Sequence, residues 1–578
     1  MGSHESSAAS DSFSSPIGPS ILNPQPSTLN KLLWLLLPAC ASVLLLATTN
    51  KMCQDVAVIP FLWVLPLALY LLTFIICFDN PRWYVRFPFA LALIAALIGM
   101  CWALFKGTDA SLRMQILVYS AGLFICCMVC HGELYRLKPD PRHLTKFYLM
   151  IAAGGALGGL FVALVAPLVF TDYYEMHWGL LLCGLLFTVV CVREKSAASL
   201  NPPLTPPGRA AEWRGLACVL TLAVFGGLDR SLVWWSRQHA TIVGGRLLGV
   251  RIGMWVLLAL IVGFWIARKK FRTFQHWRLL TCAWLSLGLL ALAVALRLQA
   301  RKSDENIISR SRNFYGTLKV CEYRKDEPDG HYFLLQHGRI THGLQFVDPV
   351  RARWPTTYYT EGSGVALGIH ALPVGARRIG VVGLGTGSLA AYGRVGDYLR
   401  IYDINPDVQR LATSRFTYLC NCPARVEIAL GDARLSLERE PPQHFDLLAL
   451  DAFSSDAIPV HLLTKEAFEV YGRHLKTNGI VAVHISNHYL DLEPVVVNLA
   501  RHFNYRLASI SHDESDSETD EDGEDAWWDY SSTWILLTRS EEIISSAAIN
   551  HAASSVKTNA VNIPLWTDDF ASVFQILQ

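Results

Sequence analysis

The feature that most constrains this 578-residue chain is a train of nine apolar runs in its first half, at 32–48, 55–78, 87–105, 114–132, 147–170, 178–192, 214–228, 252–267 and 279–296. Each reaches or approaches the roughly 20 residues that a helix needs to cross the hydrocarbon of a bilayer. Only nine Asp, Glu, Lys or Arg occur between residues 31 and 130, too few to coat a water-soluble surface. The composition agrees, with 52% hydrophobic and 17% charged residues. Lys and Arg total 50 against 48 Asp and Glu, and a net charge of +2 provides no field to gather nucleic acid.

Residues 1–30 are rich in Ser and Pro and read as a disordered tail, followed by a membrane domain over 31–300 with eight to ten spans. The basic loops at 79–86, 133–146, 193–213 and 268–278 share one face in a nine-span count, which the positive-inside rule makes cytosolic. That count puts the second half of the chain on the other face, away from the nucleoside donor inferred below. Eight or ten crossings would remove the conflict, through a weak segment near 214–228 or the Trp-rich stretch after it. The expected location is the inner membrane, multi-pass, with a cytosolic catalytic domain.

Gln54, Asp55, His131, Glu133, Asp229 and Arg230 stand at the ends of apolar runs, as interface anchors or, alternatively, along a substrate path. Gly154, Gly155, Gly158 and Gly159 fit closely packed helices better than transport. Eleven of the 14 Cys precede residue 283 and read as packed thiols. Cys420 and Cys422 lack a second pair at zinc spacing, so no metal is expected.

From about residue 310 the pattern becomes β-like, in YGTLKVCEY and HYFLLQHGRITHGLQF, predicting a β cap over 301–360. Strand and helix patterns then alternate through 361–578, which implies a doubly wound, Rossmann-like parallel sheet. The first strand ends in Gly383-Leu384-Gly385-Thr386-Gly387, a turn that lets backbone approach a ligand. Twenty residues on, Asp403 closes the second strand, where a carboxylate takes the hydroxyls of a ribose. The motif lacks the third glycine of a dinucleotide site, having Ser388 there. Asp432, in the turn after the next strand, either accepts the adenine amino group or caps its turn. Asp451 and Asp456 fall in the crevice at the end of the fourth strand and invite a cationic substrate.

These motifs, with YYTEGSGVALG, LDAFSSDAIPVHLLTKEAF and LWTDDFASV, make the soluble half resemble the spermidine synthase family of aminopropyltransferases. Through DVAVIPFLWVLPLALYLLTFIICF and HGELYRLKPDPRHLTKFYLMIAAGGALGGLF the whole chain is similar to bacterial membrane proteins in which such a domain follows a multi-span, transporter-like region. The resemblance implies a β cap on an S-adenosylmethionine methyltransferase type of fold. It also implies roles: Asp403 for the ribose, Asp432 for the adenine, Asp451 as base with Tyr359 beside it, and Asp456, Glu361, Gln336 and His488 for the amine. The co-substrate would be S-adenosylmethionine or its decarboxylated form. The expected partners are a small-molecule amine, the lipid bilayer and a second copy of the chain.

One departure matters. The family carries Asp at the fourth position of the glycine-rich turn, facing the free amine of the decarboxylated donor, and this chain has Thr386. Two rivals to aminopropyl transfer therefore stay open: methyl or other alkyl transfer from ordinary S-adenosylmethionine, and an amine or metabolite transporter with a nucleoside-sensing domain. The acidic run at 512–525 reads as a solvated loop, and His484, Asn487 and His488 as candidates for the acceptor pocket. Trp566, Asp568 and Asp569 either close the site or seal the sheet.

Overall fold

The computed structural model describes residues 27–55, 61–107, 110–198, 278–302, 306–338, 340–452, 459–487, 490–513, 526–554 and 563–576. The runs at 214–228 and 252–267, Asp229, Arg230, Asp456, His488 and most of the acidic run lie outside those residues.

Among the described residues, six helical segments are long and apolar enough to cross a membrane. They are α1 (Thr28–Asp55), α2 (Phe61–Asp79), α3 (Arg86–Lys106), α4 (Leu112–Arg136), α5 (Leu144–Leu160, extended through a π turn to Val169) and α6 (Glu175–Ala198). A seventh helix, α7 (Arg278–Lys302), packs on α6 and α3. At the centre, α1 touches α2, α4, α5 and α6. A side chain at Gly154 or Gly158 of α5 would strike the α1 backbone, at 2.2 Å from Leu35 O and 2.4 Å from Ala39 O. This small-xxx-small spacing thus serves helix contact. Glu133 is fully buried, held by Arg86 Nε at 2.6 Å and by the Tyr84 hydroxyl at 2.8 Å. It and the equally buried His131, whose Nδ1 lies 3.1 Å from Thr73 Oγ1, are packed inside the bundle.

The two ends of the bundle are distinct. Trp34 Nε1 donates to Leu137 O at 3.0 Å, and Arg86 meets Glu133, so the start of α1 and the basic loops 79–86 and 133–146 share one end. Gln299 of α7 bonds His177 of α6 and Leu104 O of α3 at the other. The soluble half joins there. The start of α1 and the end of α7 thus lie at opposite ends of the described bundle.

Next come β1 (Ile307–Asn313), β2 (Gly316–Tyr323), β3 (Tyr332–His337) and β4 (Ile340–Phe346), an antiparallel sheet in chain order. β1 has two partners, because successive side chains of a strand face opposite ways. Arg312 pairs with Glu175 at 2.8 Å on the bundle side, while Ser311 and Asn313 bond Asp407 and Asn405 on the other. Lys319 of β2 adds a contact to Asp172 at 2.6 Å.

The main sheet contains β5 (Arg378–Val382), β6 (Tyr398–Asp403), β7 (Arg425–Leu430), β8 (Phe445–Leu450), β9 (Leu475–His484), β10 (Arg506–His512), β11 (Ser532–Thr538) and β12 (Ala553–Ser554). Its order is β12-β10-β11-β9-β8-β5-β6-β7, with β5 to β9 parallel and the last three strands antiparallel to their neighbours. Apolar residues such as Ile369, Leu411 and Ile549 cover one face, and Leu437, Phe468 and Val496 the other. With both faces covered, β5 and β8 read as continuous apolar runs. The strand order reverses at β5, so the crevice beyond the tips of β5 and β8 is the switch point where open α/β sheets take ligands.

Candidate active site

The glycine-rich turn occupies that crevice. Gly383 has φ +104°, and a side chain there would come within 2.3 Å of Asp451 O. Gly385, at φ +54°, passes under His342 O of the small sheet. Both positions require glycine, since an L side chain would meet strain and backbone together. Around them opens a cleft between the tips of the main sheet and the small sheet. Gly383, Gly385, Asp403, Asp432 and Asp451 line it from the main sheet, and Leu318, Leu335, His337 and His342 from the small one.

Asp403 at the tip of β6 accepts the Leu384 N–H at 2.9 Å and the Asn405 N–H at 2.8 Å, one on each oxygen. Burial raises its carboxyl above the ordinary range, and these two bonds only partly oppose that shift. Each oxygen has two acceptor sites, so one on each stays open toward the cleft. Asp432 caps its turn, the second of the two roles the sequence left open. One oxygen caps the helix Ala433–Arg439 at Leu435 N, 2.9 Å away, and the other meets His461 Nε2 at 2.8 Å while the residue lines the cleft.

Asp451, 8% exposed, is the best-connected group. The Tyr359 hydroxyl donates to Oδ2, and His484 Nδ1 lies 2.6 Å from Oδ1. The His484 ring is held between Trp534, stacked at 4.5 Å, and Tyr358 at 4.9 Å, and its Nε2 reaches Ser486 Oγ at 2.9 Å. Burial first, and the Asp451 charge second, push the Tyr358 and Tyr359 phenols well above their usual range, so both are donors at neutral pH. The result is a carboxylate fixed in direction, beside the turn, with an imidazole behind it. His484 was only one of three histidine and asparagine candidates in the sequence, and its position at the end of a buried strand was the signal.

Other predicted residues are not brought to the cleft. Thr386 is 1% exposed, bonded to Ser388 Oγ at 2.7 Å and pressed on Gly343, so it joins the turn to the small sheet. Gly387, at φ +87°, packs on Leu419. Gln336 sits between Leu335 and His337, which face the cleft, and so faces away, near the Cys321 thiol. Glu361 is exposed and pairs with His370 Nε2 at 2.7 Å. Near the end of the chain, Trp566 is buried and Asp568 grips Arg434 at 2.6 Å and Thr464 at 2.9 Å, sealing two helices together. His337, His342 and His461, which sequence reasoning did not single out, line the cleft.

No family model matches the chain. Over 183 residues, 31% of its length, it is 31% identical to a polyamine aminopropyltransferase from Vibrio vulnificus. The match covers 58% of that protein, so the chain spans little more than half the length of the curated relative it matches. Among solved structures it is similar to a spermidine synthase from Thermotoga maritima, at 13% identity and a TM-score of 0.31 over 45% of this chain and 80% of that one. A probable spermidine synthase from Corynebacterium glutamicum gives 18% identity and 0.30 over 44% and 99%. The resemblance to the spermidine synthase family is thus one of aligned sequence as well as of motifs.

Proposed function

We propose that the chain is a membrane-anchored transferase that moves an aminopropyl or related alkyl group from an S-adenosyl sulfonium to an amine. The observation that carries this reading is Asp451, aimed and hydrogen-bonded from two sides next to a glycine-rich turn and the Asp403 carboxylate. In this reading the small sheet is a cap over the donor. Asp403 would take the ribose hydroxyls on its open acceptor sites and Asp432 the adenine amino group. Asp456 and His488 remain candidates for holding the amine.

The chemistry asks little of the protein beyond alignment and a base. The amine lone pair forms a new C–N bond at the carbon beside the sulfonium, and the C–S bond breaks with its electron pair going to sulfur. A neutral thioether leaves, so no acid is needed. The ammonium proton passes to Asp451, whose orientation by Tyr359 and His484 presents an acceptor lone pair to the amine. Holding both reactants in line supplies most of the rate.

Asp451→Asn in the full-length protein tests this. Product formation should fall by about 10²–10⁴-fold with donor binding kept within a few-fold. Unchanged turnover removes Asp451 from the mechanism.

A second reading has its own observation. Thr386 puts no acid at the amino-acid end of the donor and is itself buried, while neutral His337 and His342, both held low mainly by burial, stand in the cleft wall. Such a wall tolerates a carboxylate, which favours ordinary S-adenosylmethionine as donor. Calorimetry with the two donors separates the readings: tighter binding of the decarboxylated form supports aminopropyl transfer, and the reverse supports transfer of another group.

A further inference from the structure

The helical bundle contains thiols that the transferase reading does not use. Cys40 of α1, Cys130 of α4 and Cys183 of α6 are free, and their sulfurs all lie within 4.8 Å of one another. Each is at most 1% exposed. The Cys40 thiol donates to Gly179 O at 3.6 Å, and Cys126 stands one turn before Cys130 on the same side of α4.

Packing alone does not call for this convergence. A thiol fills space like a small apolar group, and its S–H is a weak donor, so three thiols meeting gain little over three other small side chains. A triangle of sulfurs is, however, the donor set that soft metal ions select. With metal–sulfur bonds of about 2.3 Å, three sulfurs around one ion stand roughly 4 Å apart, inside the spacing seen. Among the described residues no imidazole or carboxylate joins the group, so hard ions find no oxygen there. Structural zinc takes four ligands, and Cys126 falls outside the triangle.

We infer that Cys40, Cys130 and Cys183 bind one soft monovalent ion, Cu(I), in trigonal sulfur coordination. Loading replaces S–H bonds by S–Cu bonds. Two protons leave to solvent, and two thiolates with one neutral thiol surround the ion at a net charge of −1, which keeps the buried charge small. The ion would staple α1, α4 and α6 together from inside.

The test uses the full-length chain in detergent and reducing buffer, titrated with Cu(I) against a chromophoric Cu(I) chelator, with copper X-ray absorption on the loaded protein. One Cu(I) per chain and a shell of three sulfurs are expected. Cys40→Ser, Cys130→Ser and Cys183→Ser should each weaken binding by more than the roughly 10-fold that loss of even an outer partner costs. Cys53→Ser, on α1 but outside the triangle, should leave it unchanged. Copper retained after all three substitutions, nitrogen or oxygen in the shell, or zinc taken up in preference to copper overturns the assignment. So does a disulfide between any two of the three in the protein as isolated. The wild-type absorption spectrum decides by itself where a serine variant fails to fold.

Discussion

Asp403 shows what a strand-tip carboxylate costs and what it is for. Its folded pKa lies above the unfolded value, so its ionisation works against the fold: stability it lends when protonated is lost as pH rises through the folded pKa. Donor binding through ribose hydroxyls has the opposite sign, because it uses the ionised form. Affinity should therefore decline by up to about tenfold per pH unit once pH drops below a midpoint higher than the roughly 3.9 of a free Asp. Calorimetry across mildly acidic pH measures this, and Asp403→Asn should be weak and flat throughout. The acids at the strand tips were legible because a buried run followed by glycines fixes where a strand must end. Gln336 and Glu361 were not. Alternation along β3 puts Leu335 and His337 on the cleft side and Gln336 on the other, and the residues alone do not say which of the two sets meets the main sheet. Tyr359 and Glu361 share a face only in extended chain, and this segment is a series of turns.

Between elements, two ion pairs with different surroundings predict different losses. Arg377 and Asp397 tie the start of β5 to the turn before β6, with Nη2–Oδ2 at 2.5 Å and both side chains at most 3% exposed. Arg377→Ala strands a buried charge and should destabilise the soluble half by about 3–5 kcal/mol, read as a lower midpoint in urea. Asp568, by contrast, is 43% exposed, and its bonds to Arg434 hold its carboxyl down to about 2. A depressed carboxylate lends stability above its unfolded pKa and loses it as pH falls toward the folded one. The contact of the C-terminal segment with the helix Ala433–Arg439 should therefore loosen between about pH 4 and pH 2, and Asp568→Asn should remove that acid dependence. Hydrogen exchange on residues 563–576 would follow it. The alternation of strand and helix that frames these pairs was plain in the sequence, since period-2 and period-3.6 patterns differ over a few residues. The pairing of Asp568 with Arg434 spans 134 residues and no local pattern carries it.

At the scale of the whole molecule, loop charge and donor supply make opposite demands. The transferase reading needs the soluble half beside the cytosolic donor, and the geometry then sends the basic loops 79–86 and 133–146 to the far face, against the positive-inside rule. The expected outcome is that a fluorescent protein fused after residue 578 glows and that alkaline phosphatase fused there is silent. An active phosphatase would put the cleft out of reach of its donor and remove the enzymatic reading. Either way the two halves do not move independently, because β1 is clamped on both sides. Arg312 holds it to Glu175, and Asn313 holds it to Asn405, whose own N–H grips Asp403. A tilt of the helices is thereby handed, strand to loop, to the carboxylate that would seat the nucleoside, so the anchor doubles as a lever on its own enzyme.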